Sequence, residues 1–256
     1  LDKVMLGFMK TNTDVGYYDA AVKIKTILVN VVTSLGTVLL PRMSFYIEKG
    51  EQETFRRIVT KAFRFVIISA SSLMVFFIIF ARESILAISG AEFLPAVFPM
   101  QLLMITLLLI GLSNITGIQI LTPMGRENLV LRSILAGAAV DFLLNLVLIP
   151  DYASAGAAFA TVMAELIVLA VQCFYLRDIL IGLMRNINLK KILIALGCAC
   201  TAGILLHINI NIQTASIIEA LVVLAVEAMV FFGIYGGMLL FLKEPLILEI
   251  RDMGLN

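Results

Sequence analysis

Apolar and polar positions along this chain do not alternate with the short periods of a half-buried surface; they segregate into long blocks. Runs dominated by Leu, Ile, Val, Ala, Phe and Met fall near 20–43, 59–80, 96–121, 128–149, 153–176, 189–208 and 215–242, separated by short polar stretches. A helix rises about 1.5 Å per residue, so about 20 apolar residues cross a hydrocarbon layer of about 30 Å. Every run meets that length. The pattern predicts an all-α fold, a polytopic transmembrane helical bundle of about seven spans. Leu1 to Met9 reads as the tail of a further span. It has no initiator Met, signal-peptide n-region or cleavage site, so we expect the sequence to begin inside a longer protein.

Composition agrees and removes alternatives. Apolar residues make up 61% of the chain and charged ones only 14%, too few charges to cover a soluble domain of 256 residues. A net charge of +1 provides no basic field for nucleic acid. Cys173, Cys198 and Cys200 are too few for a disulfide framework, and Cys198-x-Cys200 lacks metal-ligand company, since His207 is the sole histidine. We therefore read no metal site and no cofactor. Nucleotide-binding loops, zinc-protease motifs and a Ser/His/Asp set are also missing, so the chain does not read as an enzyme or an ATP-driven pump. Three sections follow: 1–19, the end of a preceding span and a loop; 20–180, five helices; 181–256, two more helices and a tail.

The loops orient the helices. Arg42, Lys49, Arg56, Arg57, Lys61 and Arg64 lie between the first two spans, and Arg126 and Arg132 between the third and fourth. Arg177, Arg185, Lys190 and Lys191 lie between the fifth and sixth, and Lys243 and Arg251 follow the last. The opposite side has only Lys3, Lys10 and Arg82. The positive-inside rule then places the basic side and the C-terminus in the cytoplasm. Because the bias alternates through every loop, it supports the span count independently.

Polar residues inside the spans are the candidates for function, because each is costly in hydrocarbon and must face protein or water. In the first span Lys23, Thr26, Asn30, Thr33 and Thr37 recur at helical spacing, a stripe able to line a hydrated cavity with Lys23 available to a phosphate. Its alternative is a snorkelling lysine above Thr and Asn that join helices. Gly137, Asp141 and Asn145 share a face of the fourth span, and Thr161, Glu165 and Gln172 one of the fifth. Gly156, Ala160 and Ala164 form a close-packing face beside them. Glu227 lies near the middle of the last span. Asp141, Glu165 and Glu227 are the candidates for ion coupling; a hydrogen-bonded structural role is the alternative for each. Pro95, Pro99 and Pro123 bracket the third span as candidate hinges.

Several ordered motifs resemble one family. They are Leu1-Asp-Lys-Val-Met-Leu-Gly7, then Val15-Gly-Tyr-Tyr-Asp-Ala-Ala-Val-Lys-Ile24 and Val38-Leu-Leu-Pro-Arg-Met-Ser44. Thr122-Pro-Met-Gly125, Asn145-Leu-Val-Leu-Ile-Pro150 and Gly156-Ala-Ala-Phe-Ala-Thr-Val-Met-Ala-Glu165 follow in order. Together they resemble Wzx-type flippases of the polysaccharide transporter family, within the multidrug/oligosaccharidyl-lipid/polysaccharide exporter superfamily. The likeness covers roughly residues 1–180; beyond that it is mainly hydropathy. It implies the C-terminal half of a two-bundle exporter that moves polyprenyl-diphosphate-linked oligosaccharide, such as an O-antigen repeat unit, across the inner membrane by alternating access. Implied partners are the lipid-linked oligosaccharide, membrane lipids and a polysaccharide polymerase or export machinery. Acidic cavity residues keep open a cation-coupled drug antiporter of the same superfamily. A membrane-embedded polymerase or glycosyltransferase would need a larger outward loop, and a seven-helix receptor lacks support from the motifs.

Overall fold

The computed structural model describes residues 1–184, 187–209 and 217–254, apart from the side chains of Leu35, Thr37, Val38, Met184, Ile250 and Met253. Arg185 and most of the 208–214 loop lie outside these residues. Every regular element among the described residues is helical: α1 (Asp2–Met9), α2 (Asn12–Glu48), α3 (Gln52–Ile79), α4 (Ala81–Ser89), α5 (Val97–Asn114), α6 (Glu127–Met184), α7 (Leu189–Asn209), α8 (Ile217–Phe241) and α9 (Pro245–Gly254). A 3₁₀ turn at Ala91–Ala96 leads into α5, and a π-helical stretch at Ile115–Leu121 continues it. Six of these helices are long and apolar enough to cross a membrane, and the chain is an all-α polytopic membrane bundle. Its outer surface fits that solvent: Phe174, Ile218 and Phe241 are 69, 75 and 80% exposed.

The helix Glu127–Leu183 has 57 residues, far more than one crossing needs. It reverses at Ala153, where φ 45° and ψ −126° are not helical. Pro150 withdraws a backbone donor just before the reversal. The loop expected at 150–153 is thus a reversal centred on a single residue, and the expected spans 128–149 and 153–176 become two arms. They lie close because Gly137 and Gly156 leave room. A Cβ at Gly137 would sit 2.5 Å from Val168 Cγ2, and one at Gly156 2.6 Å from the Leu148 carbonyl oxygen.

Three other boundaries differ from expectation. The second span begins at Gln52 rather than 59, so Arg56, Arg57, Lys61 and Arg64 stand on the first turns of α3 instead of in a loop. Beyond Phe80 the chain continues as α4, along the N-terminal part of α8, with Leu86 and Ala87 against Ala220. The tail after the last span contains α9, tied to α3 by a Lys61–Glu249 ion pair. Of the bracketing prolines, Pro95 lies in the 3₁₀ turn and Pro123 just beyond the π-helical stretch, where Thr122 N–H reaches back to the Gly117 carbonyl at 3.0 Å.

α1 folds back onto the start of α2. Thr11 caps α2 by accepting from the Asp14 amide at 3.3 Å, while the Asp14 carboxylate accepts from the Thr11 amide at 3.2 Å. Lys3 pairs with Asp19 across the hairpin. At the other end of α2, Gly50 at φ 72° allows the tight turn into α3. One continuous apolar core then runs through the bundle. Its α3–α8 seam holds Phe76 and Phe231, 5.5 Å between centroids, and Tyr235 donates to the Ile68 carbonyl at 3.1 Å.

Candidate functional site

α1, α2 and both arms of α6 converge on Asp2, a carboxylate that the sequence reading did not single out. Oδ1 accepts from Asn145 Nδ2 at 3.0 Å; Oδ2 accepts from the Tyr18 hydroxyl at 2.6 Å and from Thr161 Oγ1 at 2.9 Å. Asn145 and Thr161 each lie eight residues from Ala153, so the reversal of α6 brings them level. Tyr18, Asn145 and Thr161 are all buried. The signal for Asp2 was present in the sequence: it is an acid within an apolar run, as Asp141 is.

Beside this junction opens a cleft of about 430 Å³, lined by Asp2, Asp141 and Glu165 among others. At its other end Gln172 Oε1 accepts from Thr116 Oγ1 at 2.6 Å, and Gln172 Nε2 donates to Ser133 Oγ at 3.0 Å. Gly117, inside the widened turn, makes space for that amide: a Cβ there would lie 2.9 Å from Gln172 Nε2. Asp141 Oδ1 is buried with no hydrogen-bond partner among the described residues. Lys25 lies in the electrostatic reach of Glu165, Asp2 and Asp141.

The structure therefore brings together Asp141, Asn145 and Glu165 but keeps them apart from the α2 stripe. Lys23 is 70% exposed, 3.8 Å from Asp19, and Asn30 is exposed as well. Thr26 and the half-buried Thr33 return their hydroxyls to carbonyls one turn back. Thr37 lies outside the described side chains. Lys23 and Asn30 look out of the bundle, whereas Lys25 turns toward the acids.

At the basic end a recess of about 690 Å³ is lined by Arg56, Arg57, Lys61 and Arg64, with Glu53 and Asp178. The neighbouring Glu244 is 2% exposed. Burial raises its pKa above the usual glutamate value, against the pull of Arg64 and Lys191.

Glu227, the remaining sequence candidate, belongs to neither region. Its Oε1 lies 2.7 Å from His207 Nδ1, and Glu83 of α4 completes a group whose ligand atoms are within 4.8 Å of one another. Sequence reasoning missed this grouping because residues 83, 207 and 227 come from three helices and carry no spacing motif.

Comparison with known proteins bears on the class. Residues 1–98 match the family model described as polysaccharide biosynthesis protein. Over 246 residues the chain is 28% identical to the uncharacterized membrane protein MJ1068 of Methanocaldococcus jannaschii, covering 96% of this chain and 47% of that one. Over 255 residues it is 22% identical to the probable low-salt glycan biosynthesis flippase Agl15 of Haloferax volcanii, covering 97% and 50%. These similarities support a polysaccharide flippase-type family, and the name of the Haloferax relative points to a transporter rather than a catalytic enzyme. The chain spans about half the length of the curated relatives it matches.

Proposed function

We propose that this chain forms one bundle of a flippase for polyprenyl-diphosphate-linked oligosaccharide, working by alternating access in the cytoplasmic membrane with the basic end and C-terminus inside. The observation that carries the reading is the α2 stripe: Lys23, Thr26 and Asn30 are exposed within a membrane-length helix that also exposes large apolar side chains such as Ile27 and Val31. Polar groups at membrane depth face protein or water rather than lipid. Since the chain spans about half the length of its relatives, a second bundle opposite this stripe would enclose a hydrated path. A sugar head group would travel in that path while its lipid tail stays in the bilayer. Lys23 would offset the diphosphate charge, after attraction by the arginines at the basic end. A polysaccharide polymerase or export machinery would receive the product.

The test is a vesicle assay with the full-length protein and a labelled lipid-linked oligosaccharide, read by an impermeant reagent that attacks only outward-facing head groups. Lys23→Ala is expected to slow translocation at least tenfold at equal protein level; Lys23→Arg keeps most of the rate, and Lys25→Ala is mild. Wild-type vesicles no faster than protein-free ones would end the flippase reading. Equal rates in Lys23→Ala and wild type would end the role of the lysine. The Asp2–Asp141–Glu165 cleft favours a second reading, a cation antiporter. That reading expects cation movement down an imposed proton or sodium gradient without any lipid-linked sugar.

A further inference from the structure

We propose that Glu83, His207 and Glu227 form a binding site for one divalent transition-metal ion, of the zinc class, that joins α4 to α7 and α8. Glu83 is 3% exposed and Glu227 0%, and each comes from a different helix. The ligand atoms of the three residues lie within 4.8 Å of one another. A second observation points to a ligand: Glu227 Oε2 is buried with no hydrogen-bond partner among the described residues, although Oε1 is held by His207. Hydrogen bonding within the cluster thus uses only half of this carboxylate.

The donor chemistry selects the ion. One imidazole nitrogen and two carboxylate oxygens suit zinc and its neighbours, and they leave one coordination position for water. In a tetrahedral site with bonds of about 2.0–2.1 Å, ligand atoms sit about 3.4 Å apart. The longest separation therefore closes from at most 4.8 Å while the 2.7 Å His207–Glu227 contact opens by roughly 0.7 Å, both within reach of glutamate side-chain rotation. A cation between His207 and Glu227 takes the place of the proton bridging them at 2.7 Å, and needs the imidazole as its Nε2–H tautomer so that Nδ1 ligates. Two carboxylates and a neutral imidazole around a doubly charged ion give a neutral unit, which a low-dielectric bundle tolerates better than two uncompensated acids.

The position gives the ion a consequence. The chain bends at Phe80, between α3 and α4, and Phe80 packs on the His207 ring with centroids 5.8 Å apart. Metal binding fixes α4 against the α7–α8 pair just beyond that bend. His207 has a side chain 45% exposed, which supplies an entry path.

His207 is the sole histidine of this sequence, and the protein is purified with a histidine-free tag so that the tag adds no imidazole. Zinc affinity is measured by competition with a chelating dye, and cobalt is used as a probe for its visible ligand-field bands. Wild type is expected to bind one ion. Glu83→Gln, His207→Ala and Glu227→Gln each weaken binding by more than about 100-fold, beyond the loss from an outer-sphere partner. His207→Cys retains the site, because thiolate is also a zinc ligand, and shifts the cobalt spectrum. Glu92→Gln, at an exposed carboxylate on the same end, changes nothing. Zinc also raises the wild-type melting temperature in a concentration-dependent way, and not that of Glu227→Gln. Should Glu227→Gln fail to fold, the His207→Ala and His207→Cys pair decides alone. Equal affinity in wild type and all three variants, or no cobalt bands in wild type, overturns the proposal.

Discussion

Asp2 and Glu227 both carry a carboxylate into an apolar bundle, and the fold treats them in opposite ways. Asp2 receives donors from three side chains on two other helices, so both oxygens are occupied. Glu227 receives one, and its second oxygen faces no donor among the described residues. Burying a carboxylate is costly unless hydrogen bonds or a cation compensate it. The first site has the compensation built in and works as a joint between α1, α2 and α6. The second is finished by something outside the chain. At Asp2 the hydrogen bonds make a structural joint, whereas at Glu227 the free oxygen, together with Glu83 and His207, makes the proposed ligand site.

The comparison breaks most directly at Asp2. Asp2→Ala removes one acceptor shared by the buried Tyr18, Asn145 and Thr161, although Thr161 keeps the Ala157 carbonyl at 3.0 Å and Tyr18 keeps Thr161 at 3.0 Å. At roughly 0.6–1 kcal/mol for each lost bond in a membrane setting, the variant is expected to lose about 2–3 kcal/mol of stability. Glu227→Gln keeps a hydrogen-bonding group beside His207, and should stay within about 1 kcal/mol of wild type in metal-free buffer. Thermal or denaturant unfolding in detergent measures both. If Glu227→Gln costs as much as Asp2→Ala, the distinction between joint and ligand site fails.

Gly137→Val probes the scaffold beneath the joint. Its side chain would enter the space of Val168 Cγ2 and the Ala164 carbonyl, forcing the arms of α6 apart. Overpacking of this kind costs about 1–3 kcal/mol. Combined with Asp2→Ala it should cost less than the sum, since separated arms have already moved Asn145 and Thr161 from level positions. Strict additivity would show that the arms position the two donors independently.

The same two sites show how far sequence reading reached. The seven membrane-length segments were legible because hydrocarbon thickness imposes a length that composition reveals directly. Asp141, Asn145 and Glu165 were legible as polar residues in apolar runs, and the structure places them around one cleft and joint. The small face Gly156-Ala160-Ala164 marked an arm of α6 that packs closely, with Ala160 fully buried and no room for a Cβ at Gly156, where one would fall 2.6 Å from the Leu148 carbonyl oxygen. Asp2 was passed over because Leu1 to Met9 was treated only as a fragment of a span. The separation of Lys23 from Lys25 followed from helical geometry, since 200° of rotation divides them. What Lys25 faces did not, because Glu165 is 140 residues away. The Glu83–His207–Glu227 group was invisible for the same reason: tertiary packing alone brings those helices together.

A further buried carboxylate sharpens the comparison through pH, with the smallest expected effect. Glu244 lies past the end of α8, 2% exposed, with Oε2 unbonded among the described residues. Unlike Glu227 it has cations nearby, Arg64 on α3 and Lys191 on α7, but burial outweighs them and its pKa is raised. An acid whose folded pKa exceeds its unfolded value binds its proton more tightly when folded. Its cost is absent below the unfolded value near 4.5 and grows as pH rises through the folded value, after which it levels off. The stability of wild type minus that of Glu244→Gln is therefore expected to fall as pH rises from about 4 toward neutrality, measured by unfolding in detergent. Subtracting the variant cancels groups common to both. Arg64→Gln should steepen and lengthen that fall, because it removes a cation that favours the ionised glutamate. A flat or rising difference curve would mean that Arg64 and Lys191 fully compensate the buried charge, placing Glu244 with Asp2 among the saturated acids.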